Sequence, residues 1–288
     1  ALAVCEAGKD LYLEKPMTVT AAQAQELADL ANEKGIVGQV VFNSRFVPCA
    51  MRAKQLMDQG FCGNLISVRG KLLHSGLVDT KRPISWRLTP ELTGQGVLFD
   101  LGSHLIDMLI YLCGDVDAIL CETMTYHKTR KTVDGREMDV QTDDGAWMLV
   151  KMKNGAVGTL EATKLATGAD GDFDVHVMGE KGALKVDIMN VHYLEVFDNT
   201  LPNGEFGGDR GVKKISTASH YAYPTNSFPQ AGTTPGFMRL HLQSLYAFVH
   251  SVQTGAPVGP DFYQGAKVQR VMEAAYRSAD SKRWESVD

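Results

Sequence analysis

The rhythm of hydrophobic and polar positions changes once along this chain, near residue 60. Before that point, apolar runs alternate with amphipathic stretches. Residues 1–9 read as the end of a helix and residues 10–14 as a short strand. Thr20 stands at an N-cap position ahead of "AAQAQELADLANEKG", an alanine-rich helix that Gly35 terminates. "IVGQVVFN", residues 36–43, is a continuous apolar run of the kind buried on both faces of a sheet. "PCAMRAKQLMDQG" gives a further helix ending at Gly60. Such alternation predicts a parallel sheet covered by helices. Because the chain opens on a helix end, the pattern is that of a doubly wound domain entered part-way.

From Asn64 the period shortens. "LISVRGKLL" alternates like a strand, and residues 76–95 form a loop rich in proline, threonine and charge. "GVLFDLGSHLIDMLIYLCG" places Leu101, Leu105, Leu109 and Leu112 at helical spacing. Long strands follow over residues 116–127, 140–153 and 156–164, the last two joined by an Asn154-Gly155 hairpin turn. "FDVHVMGEKGALKVDI" is a second hairpin, turning at Glu180-Lys181-Gly182. Residues 199–235 are rich in Gly, Pro and Ser, the composition of a lid, an oligomer arm or a disordered segment. Amphipathic helices over 238–253 and 263–281 close the chain. The expected class is α/β: residues 1–45 as part of a doubly wound domain, then residues 46–288 as an α+β domain with a large, open-faced, mainly antiparallel sheet.

Composition narrows the function. At 288 residues, with 44% hydrophobic and 22% charged positions, the chain has the make-up of an ordinary globular protein with room for two cores. A net charge of −5 and the lack of any basic run leave no footprint for nucleic acid or an anionic membrane. No apolar run approaches the roughly 18 residues of a membrane span. Cys5, Cys49, Cys62, Cys113 and Cys121 are scattered, with no C-x-x-C pair. They read as small buried hydrophobes in a reducing cytoplasm.

Two places carry candidate chemistry. Asp100 and His104 in "DLGSH" lie four apart, so on a helix they share a face. A carboxylate beside an imidazole raises its pKa and orients it as a general base, and Gly102 between them admits a close approach to the backbone. The competing readings are an Asp stabilising a helix N-terminus beside a core histidine, or two metal ligands lacking a third at matching spacing. Lys15 closes the strand "LYLEKPM" at a carboxyl end, where open α/β sheets bind ligands. Its amine could donate to a hydroxyl or a developing alkoxide. Alternatively it pairs with Glu14 at the surface.

These two stretches resemble the glucose–fructose oxidoreductase/inositol dehydrogenase (Gfo/Idh/MocA) family. "GKDLYLEKPMTVTAAQAQEL" is similar to the family's Glu-Lys-Pro segment, and "GQGVLFDLGSHLIDMLIYLCGD" to its Asp-x-x-x-His helix. "VFNSRFVP" resembles the last cofactor-domain strand, "PISWR" the Trp-Arg loop of the sugar-oxidising branch, "GTLEATKLATG" the substrate-facing strand, and residues 240–281 the closing helices. The resemblance implies a partial Rossmann domain over residues 1–45 and an NAD- or NADP-dependent oxidoreductase. The substrate would be a sugar, glycoside or polyol, oxidised at a ring hydroxyl.

Carried over by position, Lys15 would bind the reacting hydroxyl and help hold the nicotinamide. His104 would take the hydroxyl proton, and Asp100 would bind a neighbouring hydroxyl or steer His104. Glu14, Pro16, Asn43 and Arg45 would shape the nicotinamide pocket, Trp86 and Arg87 would cover the cofactor, and Lys164 would contact the sugar. The family also implies a homodimer or homotetramer built on the broad sheet. Two other activities stay open under the same resemblance: redox-neutral, NAD-assisted glycosidic cleavage, and non-catalytic sensing of a sugar or dinucleotide. The family's opening strand and G-x-G-x-x-G turn have no counterpart here, and "GQGVLFDLG" follows a loop rather than a strand. On the order of 60–90 residues are expected to precede Ala1. Residues 1–288 alone are accordingly expected to hold NAD weakly.

Overall fold

The structure is a computed structural model that describes residues 1–84, 95–217 and 236–288. It opens with α1 (Leu2–Glu6) and β1 (Leu11–Leu13), then α2 (Ala21–Glu33) and β2 (Gly38–Val40). β1 and β2 pair in parallel, Leu11 opposite Gly38 and Leu13 opposite Val40, with α2 as the connection between them. Thr20 caps α2 as its sequence position predicts. Its hydroxyl accepts from Gln23 N, and the Gln23 side chain accepts from Thr20 N. Only three residues of the apolar run 36–43 pair as a strand; Asn43–Phe46 turn as a 3-10 segment instead.

α3 (Pro48–Asp58) leads into β3 (Leu65–His74). A π-type turn, Leu98–Gly102, runs directly into α4 (Ser103–Cys113). β4 (Val116–Met124) follows, then a small hairpin of β5 (Thr129–Lys131) and β6 (Glu137–Asp139). Next come β7 (Gly145–Met152), β8 (Val157–Thr163), β9 (Asp170–Gly179), β10 (Gly182–Asp187), β11 (Tyr193–Asp198) and β12 (Val212–Ser216). The chain ends in α5 (Phe237–Thr254), α6 (Phe262–Ser281) and β13 (Glu285–Ser286).

Among the described residues, the main sheet has nine strands in the order β12-β11-β10-β9-β3-β8-β7-β4-β13. All its neighbours are antiparallel except β3 and β8, which run parallel with Leu73 beside Thr163. That exception was not expected from the hairpin-rich sequence, because the pairing joins strands more than eighty residues apart. Burial alternates along the strands. Met148, Val150, Leu160, Ala162, Val175 and Val177 face the core, while Trp147 and Leu149 lie on the open face. α3, α4 and α6 cover the inner face. The hydrophobic driving force, roughly 25 cal/mol per Å² of apolar surface removed from water, fixes α4 against the sheet. Leu105, Ile106, Met108 and Leu109 of α4 are fully buried there.

The closing helices return to the opening strands. Tyr12 donates to Ser244 Oγ (2.8 Å), Gln39 Nε2 to Ser244 O (2.9 Å), and Gln269 Nε2 to Val19 O (3.1 Å). The small parallel unit is therefore held against the closing helices, and one continuous apolar core runs through both parts. The unit and the carboxyl ends of β3 and β8 flank the start of α4, and there the candidate side chains meet.

Candidate active site

Asp100 is the centre of the cluster. Lys15, in the turn that ends β1, donates from Nζ to Asp100 Oδ1 (2.8 Å) and to the Asp100 carbonyl (2.8 Å). Lys164, just past β8, donates to Asp100 Oδ2 at 2.5 Å. Both lysine side chains are largely buried and the carboxylate is partly open to solvent. Burial alone would raise the Asp100 pKa. The two ammonium groups outweigh it and hold the carboxyl well below the usual carboxylate range. The pairing of Lys15 with Glu14 weighed from the sequence does not form: Glu14 is exposed and Lys15 is committed to Asp100. The peptide bond between Lys15 and Pro16 is cis.

His104 lies one turn into α4, half-buried, its ring edge-on to Phe42 at 6.4 Å. Its Nδ1 is buried and has no hydrogen-bond partner. Asp100 does pull the His104 pKa upward as expected, but the net shift is downward. Burial dominates, Lys15 and His241 add repulsion, and Asp100 offsets only part of this, so His104 is pushed down to about 3. The physical reason is burial, which strips an imidazolium of its hydration; the attraction of the Asp100 carboxylate, shared with two lysines, does not make up the difference. The simple i, i+4 reading of this pair also changes, because Asp100 sits in the π-type turn and His104 in the helix proper. Gly102 admits a close neighbour, but that neighbour is Leu98, which would lie 2.7 Å from an added Cβ.

Asn43 is buried at the edge of this group, its Nδ2 2.9 Å from His241 Nε2. Arg45 does not join the cluster. Its Nε lies 3.0 and 2.9 Å from the two Asp107 oxygens, its Nη2 2.6 Å from Oδ1, and its Nη1 2.5 Å from Gln264 Oε1. The guanidinium also stacks over Tyr111, 4.8 Å from the ring centre. Arg45 thus forms a buried ion pair between the 3-10 turn and α4. Trp86 and Arg87 lie outside the described residues.

Two histidines at the site escaped the sequence reading. His241, on α5, reaches Asn43 and acts on His104 through its charge. His74 ends β3 and feels Lys164, Asp100 and Asp172; burial and the Lys164 charge lower its pKa. The signal that could have found His74 is the parallel pairing of β3 with β8, which delivers His74 and Lys164 at the same end of the sheet. No cluster of three or more His, Cys, Asp or Glu able to hold a metal exists among the described residues, and none of the helices described is long and apolar enough to cross a membrane.

A parallel strand pair with a lysine at its carboxyl end, facing a carboxylate and an unpaired imidazole from a sheet domain, defines a Rossmann-type oxidoreductase with an appended α+β domain. Comparison with known proteins agrees. Residues 1–42 match the oxidoreductase family's NAD-binding Rossmann fold, and residues 50–185 match the GFO/IDH/MocA C-terminal domain. The levoglucosan dehydrogenase of Pseudarthrobacter phenanthrenivorans is 29% identical over 100% of this chain and 76% of its own length. A crystal structure of an NAD binding oxidoreductase from Klebsiella pneumoniae is 30% identical with a TM-score of 0.92, over 100% of this chain and 76% of that one. The structure of levoglucosan dehydrogenase in complex with NADH has a TM-score of 0.93 at 28% identity, over 100% of this chain and 76% of that one. The chain belongs to the Gfo/Idh/MocA family of oxidoreductases, whose cofactor is NAD or NADP.

Proposed function

We propose that this protein oxidises a ring hydroxyl of a sugar, glycoside or polyol. The observation that carries the reading is the convergence of Lys15, Asp100 and Lys164 with His104, supplied by three separate segments. Such convergence is costly to build and suits an alcohol that must lose its proton.

The donor set suits a nicotinamide cofactor at this end of the site. Lys15 is an amine at the carboxyl end of a parallel strand, and His104 Nδ1 is buried with no internal partner. Glu14, Lys15, Pro16 and Asn43 would hold the nicotinamide end, and Lys15, Asp100, His104 and Lys164 the substrate. When bound, NAD(P) supplies a hydride acceptor for the carbon that bears the reacting hydroxyl. Lys15 donates a hydrogen bond to that oxygen and stabilises the negative charge developing on it. His104, neutral at working pH because burial holds it so, accepts the hydroxyl proton. The resulting imidazolium is stabilised by the Asp100 carboxylate, which its two lysines keep ionised. A cluster of two ammonium groups on one carboxylate leaves net positive charge facing the substrate, which favours alkoxide formation.

For the substrate class, the relative named levoglucosan dehydrogenase aligns along the whole chain, which supports a sugar or anhydrosugar. The exposed apolar residues Trp147, Leu149 and Val157 on the open sheet face support self-association through that face. The test is incubation with NAD+ or NADP+ and a panel of hexoses, pentoses, inositols, anhydrosugars and aryl glycosides. Accumulation of reduced cofactor with one class is the expected result. Cleavage of a glycoside without reduced cofactor would instead make this a redox-neutral glycosidase. Binding of sugar or dinucleotide with neither reaction would make it a sensor.

A further inference from the structure

Two adjacent buried aspartates, Asp143 and Asp144, precede β7 and touch neither Asp100 nor Lys164 through their side chains, yet they hold the backbone that leads into Asp100 and the backbone of Lys164 itself. Asp143 Oδ2 accepts from Leu98 N (2.8 Å), its Oδ1 from Gly96 N (3.2 Å), and its carbonyl from Val97 N (3.0 Å). One residue thus takes three successive N–H groups at the start of the segment that carries Asp100 and His104. Such groups have no partner within their own helix. The approach is so close that a Cβ on Gly96 would lie 2.4 Å from the Asp143 carbonyl and Oδ1. That explains why a glycine stands there.

Asp144 holds the other side. Its carbonyl accepts from Lys164 N (3.0 Å) and Thr163 Oγ1 (3.2 Å), while its Oδ2 accepts from Tyr126 N (2.9 Å) and His127 N (3.3 Å). Tyr276, reaching from α6, donates to Asp143 Oδ1 at 2.6 Å. Asp143 and Asp144 are buried, at 6% and 0% exposure. A buried polar group left without its hydrogen-bond partner carries its full desolvation penalty, so each of these bonds is costly to lose.

We propose that Asp143 and Asp144 act as a bracket that sets the spacing between Asp100 and Lys164, with Tyr276 holding the bracket in register. All three are positioning residues, and the proposal rests on the reading of the Asp100 cluster as the redox site. Lysine side chains are long and rotamer-rich, so an ion pair between two freely moving segments would be held poorly. Fixing both backbones to one dipeptide removes that freedom. The groups that act on Asp100 are Lys15, Lys164, His74 and His104, and none of them is altered by changing the bracket.

The experiment uses the full-length protein with 13C-labelled aspartate, the Asp100 carboxyl resonance being assigned with Asp100→Asn. In the wild type Asp100 stays ionised to the lowest pH at which the fold survives. In Tyr276→Phe, which deletes one hydroxyl and keeps the ring, Asp100 begins to protonate within the folded range; in Asp143→Asn it does so more strongly. Turnover of the substrate found in the panel falls about tenfold to a hundredfold in kcat, the size expected when reacting groups are misplaced by an ångström or less, while KM for the cofactor holds. A merely structural role would lower thermal stability and leave the Asp100 titration alone. If Asp143→Asn fails to fold, Tyr276→Phe decides. A folded Tyr276→Phe whose Asp100 resists protonation as the wild type does overturns the bracket. Absence of turnover in every protein, the wild type included, would instead sink the proposed function, and the Asp100 titration would still decide the bracket.

Discussion

Replacing Arg45 with methionine tests whether this side chain serves the scaffold or the cofactor. Arg45 and Asp107 are 7% and 1% exposed and share bidentate contacts of 2.6–3.0 Å. Methionine keeps much of the volume and removes the charge, leaving Asp107 buried without its partner. Breaking one side of a buried pair costs about 3–5 kcal/mol. Unfolding entropy near 2.1 cal/mol/K per residue gives roughly 0.6 kcal/mol/K for a chain of this length. The melting temperature should therefore fall by about 5–8 °C.

Burial already raises the Asp107 pKa against the pull of Arg45, and losing Arg45 raises it further. A carboxyl whose folded pKa lies above its unfolded one binds more protons when folded, so stability is lost as pH rises through that window and is regained below it. The deficit should be largest near neutrality and shrink on acidification. Arg45→Met/Asp107→Leu should recover most of it, because an apolar pair leaves no stranded charge. Thermal unfolding followed by circular dichroism at two pH values measures all of this, with NAD(P) affinity measured beside it. A single variant that melts with the wild type, or a deficit that grows in acid, would refute the scaffold assignment. So would an intact melt with abolished cofactor binding.

Other expectations follow from the same cluster. His104→Ala should lower kcat by about 10²–10⁴, the usual contribution of a positioned acid–base group, while the melting curve stays near that of the wild type. Wild-type turnover in that variant would remove His104 from the mechanism. The His104 imidazole should stay neutral across the physiological range, its titration lying near pH 3 by ring-carbon NMR; a midpoint above 6 would contradict the burial and Lys15 repulsion assigned to it. Because that folded pKa is depressed, the histidine's contribution to stability is lost as pH falls below its unfolded value of about 6.5. Lys164→Met removes one of the two charges that hold Asp100 ionised, so the acidic limb of the kcat/KM profile should move to higher pH. An unshifted limb would show that Lys15 alone sets the Asp100 charge.

Much of the architecture was legible because it is written locally. The N-cap at Thr20, the Asn154-Gly155 turn and the period-two strands each depend on residues within a few positions of one another, and each is present. Lys15, Asp100 and His104 were legible as chemistry because a lysine closing a strand and an Asp-x-x-x-His helix are compact patterns. What they do to one another was not legible. The sequence places Asp100 next to His104, and the fold instead hands its carboxylate to lysines 85 and 64 residues away.

Along the chain, neighbours decide helix, strand and turn, since backbone torsions and side-chain periodicity are short-range quantities. The amino-acid order alone therefore determined a parallel α/β start, a broad sheet domain and three reactive side chains in plausible elements. Tertiary structure decided the parallel pairing of β3 with β8, which sets His74 beside Lys164. It also decided the buried ion pair of Arg45 with Asp107 and the burial that keeps His104 neutral. Each of these depends on which surfaces meet when water is excluded, and on the strength of charge interactions in the low-dielectric space that results. Those quantities exist only once distant segments have packed.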